Sequence, residues 1–261
     1  MTLFFHEMRQ GRMSLAVWSL TITFFMVVCV IIYPEMEGDM EEMGQMFASM
    51  GSFTQAFGMD RLNFGTFMGF YCIECGNVLG LGGAFFAALV GIAVLEKEEK
   101  NHTGEFLLTH PVNRSYVVTS KLSAVMAEII FLNLVVALGA TISIFAIGAE
   151  PQWKELLLIH LAYLLMQIEI GALCFGISAF VRSGGTGIGL GIAVAMYFFN
   201  LIKNLSDSAD FLRYITPFAY TDGADIVENS ALDMPLVIIG MATACVAAAI
   251  GFWKYCNKDI A

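Results

Sequence analysis

Residues 66–95, TFMGFYCIECGNVLGLGGAFFAALVGIAVL, carry one charged side chain, Glu74. A transmembrane helix needs about 20 mostly apolar residues, so this run predicts a helix across a membrane. Five further stretches have the same character, and the six predicted spans are about 14–33, 66–95, 121–147, 156–181, 184–203 and 235–254. We therefore predict an all-α membrane protein whose residues 1–261 form a single transmembrane domain.

The composition agrees with a chain embedded in a lipid bilayer. Apolar residues make up 58% of the sequence and charged residues 14%, against about 25% charged residues in soluble domains. The mean hydropathy is +0.74. The net charge of −10 argues against a nucleic-acid partner, because no basic surface is available to neutralise phosphates.

The distribution of Lys and Arg predicts the orientation. If the N-terminus is cytoplasmic, nine of these residues lie at the cytoplasmic side and four at the outer side, as the positive-inside rule requires. Both termini are then cytoplasmic, and residues 34–65, 148–155 and 204–234 lie outside. We expect a multi-pass protein of a bacterial or archaeal plasma membrane.

Three segments between the spans have amphipathic patterns. Residues 1–13 mix apolar and charged side chains and predict a short cytoplasmic interfacial helix, with a frayed terminus as the alternative. After Pro34, Met and Phe recur at steps of three or four as far as Phe57, which predicts an extracytoplasmic amphipathic helix. The aromatic and proline residues of 204–234 predict a segment that dips into the outer membrane surface.

The loop at 96–120 is densely charged but contains the apolar cluster Phe106-Leu107-Leu108. Asn101 or Thr103 can cap a helix, and Pro111 marks where that helix cannot continue far. The residues alone are compatible with a short helix parallel to the membrane that binds a partner. They are also compatible with a solvated connector whose apolar side chains rest on the bilayer.

The loop resembles a known pattern. Thr103-Gly104-Glu105-Phe106-Leu107-Leu108, followed by Pro111-Val112-Asn113-Arg114 and later Lys121, is similar to the region after the second span in permease subunits of type-two ATP-binding cassette (ABC) exporters. The six spans, the amphipathic N-terminus and the run 213–218 before the last span add to the resemblance, which covers the whole chain. In that family the loop is a coupling helix that docks on a separate ATPase subunit. The resemblance therefore implies a contact made by Thr103, Gly104, Glu105, Phe106, Leu107, Leu108, Pro111 and Arg114.

The resemblance implies an exporter permease that works as a homodimer or with a related permease. No G-x-x-x-x-G-K-[ST] motif is present, so ATP and Mg would be held by the partner ATPase, and we expect no enzymatic activity and no cofactor in this chain. Two alternatives are an ion-coupled secondary transporter and a membrane sensor or assembly factor that does not transport. The pair Cys72 and Cys75 lacks a second pair or a nearby His, which favours buried thiols over a metal site.

Polar side chains within the spans form a second set of candidates. Glu74, Glu128 and Glu169 lie in three different predicted spans, where charge is costly, so they should face protein or water. They could line the path of a cationic or amphiphilic cargo, or they could be protonated and hydrogen-bonded between helices. Gly76/Gly80 and Gly187/Gly191 have the GxxxG spacing that favours close contact between helices.

Overall fold

The computed structural model describes residues 2–36, 38, 44, 46, 50–100 and 113–257. Six of its helices are long and apolar enough to cross a membrane, which confirms the predicted all-α class and the number of spans. In chain order they are α1 (Thr2–Met36), α2 (a helical turn Phe67–Phe70, a π-helical turn Tyr71–Cys75 and a helix Gly76–Lys100), α3 (Arg114–Ile147), α4 (Trp153–Ser178), α5 (Gly185–Leu205) and α6 (Met234–Cys256).

The N-terminal segment is not a separate element. We expected an interfacial helix over 1–13, but α1 is one helix from Thr2 to Met36. Its first turns are held against other long helices, since the side chain of Glu7 is 6% exposed and is paired with lysines of α2 and α3. Gly11 also lies so close to α3 that a Cβ atom there would overlap the carboxyl group of Glu128. The sequence pattern predicts that these turns lie on the membrane surface. In the structure they pack against α2 and α3.

The helices on both sides of the charged loop are longer than expected. The predicted loop spans 96–120, but α2 continues to Lys100 and α3 begins at Arg114. The side chain of Asn113 caps α3 by accepting a hydrogen bond from the amide of Ser115 at 3.1 Å. We call the end of the bundle where α2 ends and α3 begins the loop end, and the opposite end the far end.

The turn between α4 and α5 lies where the predicted spans 156–181 and 184–203 meet. α4 ends at Ser178 and α5 begins at Gly185. Gly184 adopts φ 78°, a left-handed conformation that favours glycine. The chain can therefore reverse within a few residues at the loop end.

Two helices, α2 and α4, form the centre of the bundle. In the most apolar part of each, 61% and 56% of the residues are buried, against 17% in α5. Small residues bring α2 and α4 together, since a Cβ on Gly91 would overlap the carbonyl oxygen of Gly171. The large apolar side chains that α1, α3, α5 and α6 expose form the outer surface of the bundle, as expected for helices in contact with lipid.

The two GxxxG pairs behave differently. Gly76 and Gly80 pack against the ring of Tyr163 in α4, as the spacing predicted. In α5 the glycines that pack on α2 are Gly185 and Gly189, not the expected pair. Around Gly187 and Gly191 no described atom lies within 4 Å of the Cβ position, so this face of α5 is open.

The far end of the bundle is covered by residues 206–233, which we call the 206–233 segment. It contains three short helices, Asp207–Tyr214, Pro217–Thr221 and Gly223–Asn229. Thr216 donates a hydrogen bond to the carbonyl of Met196 in α5 at 2.7 Å. Phe218, Ala219 and Tyr220 are buried, so the segment is packed into the bundle at the far end.

Of the amphipathic helix predicted after Pro34, a helix at Ser52–Ala56 is seen, and most of the rest lies outside the described residues.

Candidate functional site

Of the predicted coupling residues, the structure describes Arg114, which lies at the loop end. Thr103, Gly104, Glu105, Phe106, Leu107, Leu108 and Pro111 are outside the described residues, and Arg114 is within them. Arg114 is the first residue of α3, and its Nη1 donates a hydrogen bond to the carbonyl oxygen of Cys256 at 3.2 Å. The start of α3 is thereby joined to the last turn of α6.

A buried ionic cluster ties together the three helices at the loop end. We call Glu7, Lys97 and Lys121 the loop-base cluster. Lys121 Nζ of α3 lies 2.8 Å from Glu7 Oε1 of α1, and Lys97 of α2 is paired with the other carboxylate oxygen. One carboxylate therefore bridges two lysines that stand on the two sides of the loop.

Neighbouring polar groups complete the environment of the two lysines. Lys121 Nζ also donates to the carbonyl oxygen of Val94 at 3.1 Å, and Lys97 Nζ donates to Gln10 Oε1 at 2.7 Å. Lys121 is fully buried, whereas the side chain of Lys97 is 29% exposed. A buried ammonium group is stabilised by a nearby opposite charge, so the carboxylate of Glu7 stabilises Lys121 in this position.

Sequence reasoning did not identify the role of Glu7. The resemblance includes Lys121, whereas Glu7 falls within the amphipathic pattern of residues 1–13. The one available signal was a single acid among the basic residues Arg9 and Arg12 of the N-terminal segment. That pattern does not indicate a partner 114 positions away in the chain.

The three glutamates of the predicted path contact different parts of the bundle. Glu128 is buried at the loop end against Gly11. Glu169, which is 3% exposed, accepts a hydrogen bond from the hydroxyl of Tyr220 at 2.9 Å. Glu74 lies in the π-helical turn and is partly exposed. The assignment of these residues to a translocation path stays a prediction.

Glu169 is held between two other elements. Tyr220 belongs to the 206–233 segment, and Gly240 of α6 is so close that a Cβ atom there would overlap Glu169 Oε2. The glutamate therefore bonds the far-end segment to α4. This contact is the packing arrangement that the sequence left open as an alternative.

A second polar contact joins α3 and α4 in the interior. Asn133 Nδ2 donates to Gln167 Oε1 at 2.7 Å and to the carbonyl oxygen of Ile129 at 2.9 Å. Gln167 is fully buried, and Gly83 of α2 provides the space for its amide. Hydrogen bonds of this kind stabilise contacts between helices where water is absent.

Charged residues also meet at the far end. Arg61 lies 2.5 Å from Asp225 and 3.6 Å from both Asp222 and Glu228. The hydrogen bond to Asp225 raises the pKa of Arg61, whereas burial raises the pKa of Asp222. An open cavity of about 650 Å³ lies beside this group and is lined by Arg61, Glu150 and Glu228 among others. These contacts fix the 206–233 segment to the chain that precedes α2.

Comparison with known proteins identifies the family. A family model described as ABC-2 family transporter protein matches residues 1–260. No curated protein matches the sequence. Because the family model covers nearly the whole chain, the protein belongs to this family and is a multi-pass ABC transporter permease.

Proposed function

We propose that this permease forms the export pathway of an ABC exporter and is driven by ATP hydrolysis in a separate cytoplasmic ATPase subunit. ATP and Mg would be bound by that partner. The ATPase would dock on Thr103, Gly104, Glu105, Phe106, Leu107 and Leu108, with Pro111 and Arg114 beside them. The loop-base cluster carries this proposal, because it joins α1 to both helices that flank the docking residues. Force applied to the loop would then reach three helices.

The proposal places the loop end in the cytoplasm. The Lys and Arg distribution favours this orientation, in which both termini are cytoplasmic and the 206–233 segment faces the outside of the plasma membrane. The complex would contain a second permease, either a second copy or a related chain. α5 supports a second permease because it is the least buried of the six helices and leaves Gly187 and Gly191 uncovered.

Docking can be tested by placing charge in the apolar cluster of the loop. Phe106→Asp combined with Leu107→Asp should abolish co-purification of the ATPase and leave membrane insertion intact, because desolvating two carboxylates opposes association. The matched control is Phe211→Asp, which changes an exposed aromatic residue at the far end. Normal ATPase recovery with the loop variant would refute the docking assignment. Loss of the ATPase in the control would show that the effect is not local.

A further inference from the structure

A small polar cavity lies between α2, α4, α5 and the 206–233 segment. We call it the amide cavity, and its polar lining includes Asn77, Tyr163, Tyr197, Asn200, Asn204 and Asp222. Its volume is about 70 Å³, which is enough for a group larger than one water molecule. The cavity is separate from the loop-base cluster and from the hydrogen bond between Glu169 and Tyr220.

Two of the side-chain amides in this cavity use their nitrogen atoms in hydrogen bonds to the backbone, and a third has an oxygen without a partner among the described residues. The Nδ2 of Asn77 donates to the carbonyl oxygen of Ile73 at 2.7 Å, and that of Asn204 donates to the carbonyl oxygen of Ala56 at 2.9 Å. Asn200 Oδ1 is buried and has no hydrogen-bond partner in the part of the chain that the structure describes. A buried acceptor without a partner is unfavourable, so this oxygen favours a ligand that can donate a hydrogen bond.

Asp222 adds a carboxylate to these acceptors. Its Oδ1 caps the following short helix by accepting from the amides of Ala224 and Asp225, and its Oδ2 lies 3.6 Å from Arg61. Arg61 and Lys203 are the cations that favour its charged form, and neither belongs to the cavity lining. The cavity itself therefore presents acceptors and one carboxylate, with no lysine or arginine among its lining residues.

Aromatic rings form another part of the lining. The ring of Tyr197 packs edge-on against Phe218, with 5.5 Å between the ring centroids. Tyr163 lies against Gly76 and Gly80. Rings fixed in this way can present their faces to a cation, which is attracted by the negative charge density there.

From these observations we propose that the amide cavity binds a primary ammonium group. Such a group has three hydrogen-bond donors and no acceptor, which matches a lining of amide oxygens, a carboxylate and aromatic rings. Only the role of this site rests on the proposed function. In that role, an exported molecule with an amino group would bind here, at the far end of the bundle. Binding itself does not require the ATPase.

Binding can be measured on the purified permease alone, by saturation-transfer NMR with ethylammonium chloride as the probe. We expect a saturable signal with a millimolar dissociation constant, as suits so small a ligand. Ethanol, which is neutral, should bind at least tenfold more weakly.

Four variants locate the site. Asp222→Asn keeps a side chain that can cap the short helix and removes the charge, and Asn200→Leu removes the free acceptor. Each should raise the dissociation constant at least tenfold. Asp225→Asn is one control, because it also removes an ion pair of Arg61 but lies outside the cavity lining. Asp233→Asn is the other control, because it also changes a helix-capping aspartate outside the cavity. Both controls should bind as the unmodified protein does.

Three results would overturn the proposal: no saturable signal, binding of ethanol as tight as that of ethylammonium, or unchanged affinity in either cavity variant. Thermal unfolding of each variant verifies its fold, and Asn200→Ser replaces Asn200→Leu if the larger change prevents folding. A negative result in this binding experiment would not affect co-purification of the ATPase with the permease. The binding proposal and the proposed function can therefore be refuted independently.

Discussion

Removing the shared carboxylate of the loop-base cluster should destabilise the protein strongly. In Glu7→Gln, the fully buried Lys121 loses the carboxylate that lies 2.8 Å from its Nζ, while the shape of the side chain at position 7 is kept. Breaking a buried ion pair by removing one partner costs about 3–5 kcal/mol. Lys97 adds little to this cost because its side chain is 29% exposed and can be hydrated. We expect the free energy of unfolding to fall by about 3–5 kcal/mol.

A second substitution tests whether the loss of stability comes from the buried ammonium group of Lys121. Lys121→Met removes the buried ammonium group, so the double variant Glu7→Gln, Lys121→Met should recover most of the lost stability. Lys121→Met alone leaves Glu7 paired with Lys97 and should cost less than Glu7→Gln. The measurement is unfolding in mixed micelles followed by the helical circular dichroism signal. A Glu7→Gln variant within about 1 kcal/mol of the unmodified protein would refute the argument. So would a double variant no more stable than Glu7→Gln alone.

Two other predictions concern the interior and the orientation. Glu169→Gln keeps an acceptor for the hydroxyl of Tyr220 and should be nearly silent in stability, whereas Glu169→Leu should cost about 1–3 kcal/mol because it leaves that hydroxyl unpaired. If Glu169→Gln lowers substrate-stimulated ATPase activity at unchanged stability, Glu169 recognises cargo in addition to packing. In intact cells, a membrane-impermeant thiol reagent should modify a cysteine placed at Asn229 but not one at Asn113; modification at Asn113 alone would invert the proposed orientation.

Hydropathy was sufficient to predict the class and the number of spans. The six apolar runs are local properties of the chain, and each satisfies its own backbone hydrogen bonds as a helix wherever it packs. The turn around Gly184 was also predictable, because the residues that permit it are adjacent in sequence. The family pattern at 103–114 is local as well, so it can be recognised in the sequence without the fold.

The boundaries at the loop end could not be predicted in the same way. Lys121 is the first residue of the predicted span 121–147, and a lone lysine inside an apolar span is costly. Its actual position, seven residues after the start of α3, depends on Glu7, which is distant in sequence. Pairing removes the cost that the sequence pattern implied.

The contacts of the polar residues in the interior also depend on segments that are distant in sequence. The sequence identified Glu169 as a buried carboxyl group, but it did not show that Tyr220 would bond to it or that Gly240 would leave it room. It also could not show that Asn77, Asn200 and Asp222 line one cavity, because they come from three elements. Which residues enter the bilayer follows from the free energy of transfer of each segment, which its own composition determines. Which polar groups meet inside depends on how the helices pack, and only the tertiary structure determines that.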